Sequence, residues 1–176
     1  YNSIIVLSRK KLDFNHPNLR FFMTNFDHTE VDFGDLKNVD FYNCLGTTIK
    51  KAKSKENFKK IDYKIPLDIL SELSKQNYKV RLFHISSVFA NANSSNFYLK
   101  TKGELEDSLS KLSLMSLTIL RPSLLDGDRR ESRFGEKISL KLVKLLPKLS
   151  LFKNFKATTV ASVVNCLVAA AEKGQT

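Results

Sequence analysis

VRLFHISSVFANANSSNFYLKTK, running from Val80 to Lys102, is the stretch on which the fold turns. Val80 to Ile85 reads as a strand, and it ends in Ser86 and Ser87. Asn96 to Leu112 reads as a helix, with Leu105, Leu109 and Leu112 at helical spacing. Tyr98 and Lys102 stand four residues apart on that helix, so they share a face and project toward the strand end that carries the serines. A phenol beside an ammonium is a proton-transfer device, because the positive charge favours phenolate and lowers a Tyr pKa from its usual value of about 10. A serine hydroxyl can hold the reacting oxygen. The set suits carbonyl–alcohol interconversion with a nicotinamide cofactor. A plain surface helix carries the same Tyr–Lys spacing, so the rest of the chain must decide.

Outward from this stretch, strand-like and helix-like segments alternate, the sign of an α/β fold. Ser3–Ser8 is a continuous apolar run, as in a parallel strand covered on both faces. A turn at His16-Pro17-Asn18 precedes a strand at Arg20–Thr24, and Asp40–Leu45 is a further strand that stops at Gly46. The Lys-rich residues 50–60 lead into a helix over Pro66–Gln76, with the proline in its first turn. Met115–Leu120 is a strand ended by Arg121-Pro122, Ser123–Phe134 a polar loop, and Glu136–Leu146 a Leu/Lys amphipathic helix broken at Pro147. Thr158 or Thr159 caps a last helix through Ala171, which Gly174 stops. With no internal repeat or linker, residues 1–176 read as one domain.

Composition removes several classes. Hydrophobic residues make up 42% and charged residues 27% of the chain, as in an ordinary globular protein. No apolar run approaches the roughly 20 residues that span a bilayer, and the start of the chain does not read as a signal peptide. Cys44 and Cys166, far apart and in apolar surroundings, are expected as reduced core residues of a cytoplasmic protein. Three histidines without clustered ligand spacing give no metal site. The net charge of +11 comes mainly from lysines. It is compatible with a polyanion partner or an anionic membrane. No zinc-finger spacing, RNA-reading aromatic motif or Arg-rich arm accompanies it, so nucleic acid is not the expected partner and a solvated lysine surface is.

Several motifs in order carry a family resemblance. Cys44-Leu45-Gly46-Thr47-Thr48 follows a strand. Ser86-Ser87 is followed by Ser95-Asn96-Phe97-Tyr98 and Lys102-Gly103-Glu104. Arg121-Pro122 ends a strand, and Arg129-Arg130-Glu131-Ser132-Arg133-Phe134-Gly135-Glu136 forms a charged loop. The chain thus resembles the atypical short-chain dehydrogenases/reductases, specifically their Tat-interacting-protein-like oxidoreductase branch, over almost its whole length. The resemblance implies a doubly wound, Rossmann-like parallel sheet that binds NAD(P). It departs in one place: no G-x-x-G-x-x-G turn occurs, and Tyr1 begins where the family's second strand should start. In a sheet ordered 3-2-1-4-5-6 the missing first strand is central. The expectation is an N-terminally truncated Rossmann-like domain with two apolar strand edges left without partners.

The resemblance implies that Tyr98 is the general acid/base, that Lys102 keeps it acidic and hydrogen-bonds the nicotinamide ribose, and that Ser87 orients the substrate oxygen, with Ser86 the second choice. Strand-end capping is the plainer role for the two serines. Arg9, after the Ser3–Ser8 strand, stands where a basic residue accepts the 2′-phosphate of NADP, so NADP(H) is favoured over NAD(H). Asn25 or Asp27 is placed near adenine by family position. Leu45, Gly46 and Thr47 lie at a strand's C-terminal end, where ligands sit in open α/β sheets, and Gly46 lets backbone approach the cofactor. Pro122, Ser123 and Leu124 line the nicotinamide side in the family. Arg129 and Arg133 suit an anionic substrate group or partner, or pair internally with Glu131 and Glu136. Phe41, Tyr42, Phe89, Phe97 and Phe134 suit an apolar pocket or the core. The implied function is an NADP(H)-dependent oxidoreductase of a small carbonyl or alcohol. The alternative is a non-catalytic, dinucleotide-sensing regulatory or protein-binding module, since such a scaffold does not guarantee turnover. Substrate identity and oligomeric state stay open.

Overall fold

All ladders in the described residues are parallel: the computed structural model describes residues 1–26, 37–76, 78–123, 125–126 and 158–174. The chain divides into two compact units, Tyr1–Asp35 and Leu36–Thr176. In the first, β1 (Ile4–Ser8) pairs with β2 (Leu19–Met23), Ile4 opposite Leu19 and Ser8 opposite Met23. His16 turns the chain back, its Nδ1 accepting from the Asn18 N–H at 3.2 Å and its carbonyl from the Leu19 N–H at 2.9 Å. The parallel pairing is as the apolar run predicts. The predicted cover on both faces is not found, for the residues of β1 are exposed or half-buried.

The second unit is built on a three-stranded sheet of order β3 (Asn38–Asn43), β4 (Lys79–Ile85), β5 (Ser116–Leu120). β4 is central and carries the most buried side chains, with Val80, Leu82 and His84 fully inside. Successive side chains of a strand point to opposite faces, and helices cover both. On one face Phe83 packs with Val163, Leu167 and Ala171 of the last helix, and Tyr42, Ile85 and Leu120 join them. Arg81 fastens this face: its guanidinium holds Asp40 across the ladder through two hydrogen bonds of 2.6 Å and donates to Ala171 O at 3.0 Å. On the other face Val80, Leu82 and His84 meet a helical run and the helix that carries Tyr98. Each large apolar side chain buried there stabilises the fold by about 1.5–3 kcal/mol.

The helical run differs from the sequence expectation. Thr48 caps α1 (Ile49–Ala52), Ser54 caps α2 (Lys55–Lys59), and a π-helical turn (Lys60–Lys64) leads directly into α3 (Ile65–Lys75). Pro66 stands in the first turn of α3 as expected, but that helix continues a helical run already under way instead of starting from a loop. Proline has no N–H to give to the turn before it and its ring crowds the carbonyl four residues back. The Ile65 N–H reaches Lys60 O, five residues back, and the widened turn relieves that conflict. Phe58, Asp62, Ile65, Ile69, Leu70 and Leu73 form its buried stripe, so one carboxylate sits in an apolar row.

α4 (Phe97–Leu109) begins at Asn96, whose side chain accepts from the Leu99 N–H at 3.2 Å. Gly103 is a packing requirement: a Cβ there would enter the backbone of Asn91 and Ala92, lying 2.6 Å from the Asn91 Cα. The Asn91 N–H donates to Leu99 O at 3.1 Å, which fixes this close approach. β6 (Leu125–Asp126) pairs with β7 (Thr158–Thr159), and Thr159 caps α5 (Val160–Lys173), which ends at Gly174 as expected. The expected helix over 136–146 lies outside the described residues.

Candidate active site at the strand ends

The C-terminal ends of β3, β4 and β5 gather an unusual density of buried polar groups: Asn43, Asp62, His84, Ser86, Lys102 and Glu106. At their centre Lys102 reaches from α4 to the π-helical turn, its Nζ 2.7 Å from Asp62 Oδ1, with both side chains almost wholly removed from water. The other carboxylate oxygen of Asp62 accepts from the Thr47 N–H at 2.8 Å. Burial pushes the Asp62 carboxyl up, and the Lys102 charge with the two hydrogen bonds only partly offsets this. Gly46 lies on the pair: a Cβ there would be 3.4 Å from Asp62 Oδ1 and 3.7 Å from Lys102 Nζ. The loop after β3, the π-helical turn and α4 therefore meet at one charge pair.

Beside it, His84 is fully buried with Nδ1 at 3.0 Å from the Asn43 side-chain amide. The amide donates to Nδ1, which leaves the ring proton on Nε2, and Nε2 has no hydrogen-bond partner among the described residues. Burial, reinforced by the Lys102 charge, lowers the His84 pKa from 6.5 to about 4. Asn43 Oδ1 also accepts from the Leu45 N–H at 3.2 Å and so shapes the loop that leads to Gly46. Burial pushes the Glu106 carboxyl up, but the hydrogen bonds and charge of Arg121 more than offset it, and the net direction is down. Arg121 holds Glu106 in a forked pair, with Nε 3.0 Å from Oε1.

The structure brings some of the expected residues together and not others. Ser86 and Ser87 stand at the end of β4, where the Ser86 N–H donates to Leu120 O at 2.8 Å and the Val88 N–H to Pro122 O at 3.0 Å. Ser86 is buried; Ser87 is half-buried and its hydroxyl donates to Val88 O at 3.2 Å. Tyr98 is half-buried against the Phe58 ring, 5.7 Å between centroids, and its hydroxyl has no hydrogen bond among the described residues. Tyr98 and Lys102 share α4 as expected, but the partner of Lys102 is Asp62. Ser123 is half-buried, its Oγ 3.0 Å from Thr158 Oγ1. Arg9 and Asn25 are exposed residues of the first unit, following β1 and β2. Asp27, Leu124, Arg129, Arg133 and Phe134 lie outside the described residues.

Among the aromatic residues, Tyr42 stacks on Phe83 within the face under α5, and Phe97 packs against Phe58. Phe89 is exposed with φ 64°, a strained turn conformation two residues after Ser87. The expected burial of the cysteines is corrected. Cys44 and Cys166 are free but exposed, because Cys44 leaves the sheet with the loop after β3 and Cys166 falls off the Val163–Leu167–Ala171 stripe of α5.

Asp62, His84, Asn43 and Glu106 were not singled out by motif. Their common signal is a polar residue on an apolar face: Asp62 in the helical stripe, His84 in an apolar strand, Glu106 between Leu105 and Leu109. Among the described residues no helix is long and apolar enough to cross a membrane.

Known proteins resemble this chain in sequence and in fold. The protein FMP52 of Candida albicans, named as mitochondrial, is 47% identical over 92 residues, covering 52% of this chain and 40% of its own. Protein HTATIP2 of Rattus norvegicus is 32% identical over 84% of this chain and 62% of its own. The chain thus spans less than half the length of the FMP52 relatives it matches. Among solved structures, the closed form of serine dehydrogenase complexed with NADP+ covers 97% of this chain and 79% of its own, with a TM-score of 0.57 at 14% identity. UDP-glucuronic acid 4-epimerase from Bacillus cereus, in complex with NAD, has a TM-score of 0.50 at 15% identity, covering 72% of this chain and 47% of its own. These likenesses establish the Rossmann-like fold.

The expected cytoplasmic location is corrected by the relatives, since the FMP52 proteins of Candida albicans, Lodderomyces elongisporus and Meyerozyma guilliermondii are named as mitochondrial. Reduced cysteines distinguish a reducing compartment from an oxidising one, which does not separate cytosol from mitochondrion. The HIM1 family matches residues 14–156, most of the length, and the chain belongs to that family.

Proposed function

We propose that this chain is the catalytic part of a mitochondrial NADP(H)-dependent oxidoreductase of the atypical short-chain dehydrogenase type, in the Tat-interacting-protein-like branch, acting on a small carbonyl or alcohol. One observation carries the reading: Lys102, the Gly46–Thr47 loop and the serines of β4 converge at the C-terminal ends of parallel strands, where open α/β sheets take their ligands. In this reading Tyr98 exchanges a proton with the substrate oxygen as hydride moves to or from the nicotinamide, and Ser87 orients that oxygen. Ser86, buried beside Glu106, supports it. Lys102 takes the nicotinamide ribose from the side of Gly46. Leu45 to Thr47 and Pro122 to Leu124 flank the dinucleotide. Arg9, by its charge and its place after β1, takes the 2′-phosphate that distinguishes NADP, and Asn25 faces adenine. Arg129 and Arg133 are assigned to an anionic substrate group or partner. We read residues 1–176 as belonging to one NAD(P)-binding domain.

NADPH oxidation with a panel of aldehydes and ketones tests the reading. Tyr98→Phe is expected to lower kcat by about 10²–10⁴-fold while leaving NADPH affinity near wild type. Normal turnover by Tyr98→Phe removes Tyr98 from the mechanism. A second reading, a dinucleotide-sensing module without turnover, is favoured by the engagement of Lys102 with Asp62 rather than with Tyr98. Cofactor binding without reduction of any carbonyl, together with a stable protein complex, selects it.

A further inference from the structure

We infer that Asp62 is a positioning residue that ties the Lys102 ammonium to the Leu45–Thr47 loop, so that the state of Lys102 is transmitted to the backbone at Thr47. The functional sense of this inference rests on the role proposed above for Lys102. The two oxygens of Asp62 serve different elements: Oδ1 holds Lys102 Nζ at 2.7 Å and Oδ2 holds the Thr47 N–H at 2.8 Å. The carboxylate bridges the two, by an ion pair on one oxygen and a hydrogen bond on the other. It stands on a π-helical turn that Pro66 helps to impose, and the same stretch is anchored to α4 by Lys59–Glu104 at 2.9 Å and Tyr63–Ser108 at 3.0 Å. Gly46, exposed, covers the pair without a Cβ, so a group settling on this loop lies one glycine away from the ammonium.

A purely structural role fits these facts less well. A buried ion pair contributes little net stability over an apolar pair of similar volume, because the desolvation of both charges offsets their attraction. For packing alone, two apolar side chains in place of Asp62 and Lys102 would serve at least as well. The carboxylate instead provides a fixed length between an ammonium and an amide N–H. If a ribose hydroxyl draws Lys102 away, Asp62 loses its counter-charge and its hold on Thr47 changes with it. The loop that flanks the cofactor then responds to occupancy of Lys102 without touching the ligand there.

Amide hydrogen exchange at Thr47 in the whole protein tests this. In Lys102→Met, exchange at Thr47 is expected to rise by about tenfold, the loss of one well-held hydrogen bond, while the β4 amides keep their wild-type rates. Unchanged exchange at Thr47 overturns the inference. Lys102→Met strands a carboxylate in the interior, so the double variant Asp62→Leu/Lys102→Met, which buries no charge and removes the acceptor from Thr47, provides a second comparison. Thr47 exchanging there at the wild-type rate also overturns it. In turnover, Asp62→Asn is expected to lower kcat about tenfold with little change in substrate KM, and Asp62→Glu to recover part of the loss. A lower melting temperature with normal kcat marks a structural role and overturns positioning. Failure of the wild-type protein to bind NADPH removes the proposed function, and the exchange measurement still decides for or against the link through Asp62.

Discussion

At the scale of single residues, the site is defined by which charges are withheld from water. His84 is the clearest case. Buried and beside Lys102, it stays neutral in the fold, with a pKa of about 4 against 6.5 for a free imidazole. Between those values the unfolded chain binds more protons than the folded one, so stability rises with pH across the window and falls as acid is added. From pH 7 to pH 5 this one group should remove about 2 kcal/mol, out of roughly 3 for the full shift at 1.36 kcal/mol per pKa unit. Glu106, held below its ordinary value, acts in the same direction at lower pH, whereas Asp62, pushed up, acts against it. Urea unfolding at pH 7 and pH 5 measures the sum, and His84→Gln isolates the histidine because a glutamine oxygen can still accept from Asn43. The expected outcome is a markedly flatter pH dependence in the variant. An equal slope in both proteins assigns the acid sensitivity elsewhere.

At the scale of elements, α4 determines where the chemistry stands, and two glycines separate packing from ligand approach. Alanine at position 103 would gain up to about 1 kcal/mol of helix propensity. The same methyl would meet the backbone of Asn91 and Ala92, which cannot swing aside as a flexible side chain can. Overpacking of this kind costs about 1–3 kcal/mol or more, so Gly103→Ala should lower the melting temperature and carry Tyr98 and Lys102 out of place together. Gly46→Ala puts its methyl at ordinary contact distance from Asp62 and Lys102. Its stability should change less than that of Gly103→Ala, because Gly46 is exposed and neither contact is closer than van der Waals distance, while NADPH affinity falls. Paired thermal melts and cofactor titrations of the two variants check this division, and an undisturbed NADPH affinity in Gly46→Ala detaches that loop from the cofactor. Most strands and the threonine cap of α5 were legible, because apolar runs and a capping hydroxyl act locally. The π-helical turn was not, because it arises from Pro66 in competition with a helix already under way. The Lys102–Asp62 pair was not either, since 40 residues of chain separate its partners.

At the scale of the whole molecule, the order of motifs carried the fold class, and parallel pairing followed from their alternation. What sequence could not supply is which buried polar residues face each other, since that depends on how α4 and the π-helical turn lie over the strand ends. Compartment was misread for a related reason: exposed free thiols report redox conditions and no address. The net charge of +11 bears on partners rather than fold. A dinucleotide is a small anion, and its attraction to a lysine surface is screened within about 8 Å at physiological ionic strength. A nucleic acid held by the same lysines would release condensed counterions, and its affinity would fall steeply with salt. The proposed function therefore predicts a shallow salt dependence for NADPH, and weak, salt-sensitive binding of an oligonucleotide that is lost near 0.15 M salt. Fluorescence titration of NADPH and anisotropy of a labelled oligonucleotide, each across a salt series, distinguish the two. Oligonucleotide binding that stays tight at physiological salt while NADPH fails to bind would make the basic surface, rather than the strand ends, the functional part of the molecule.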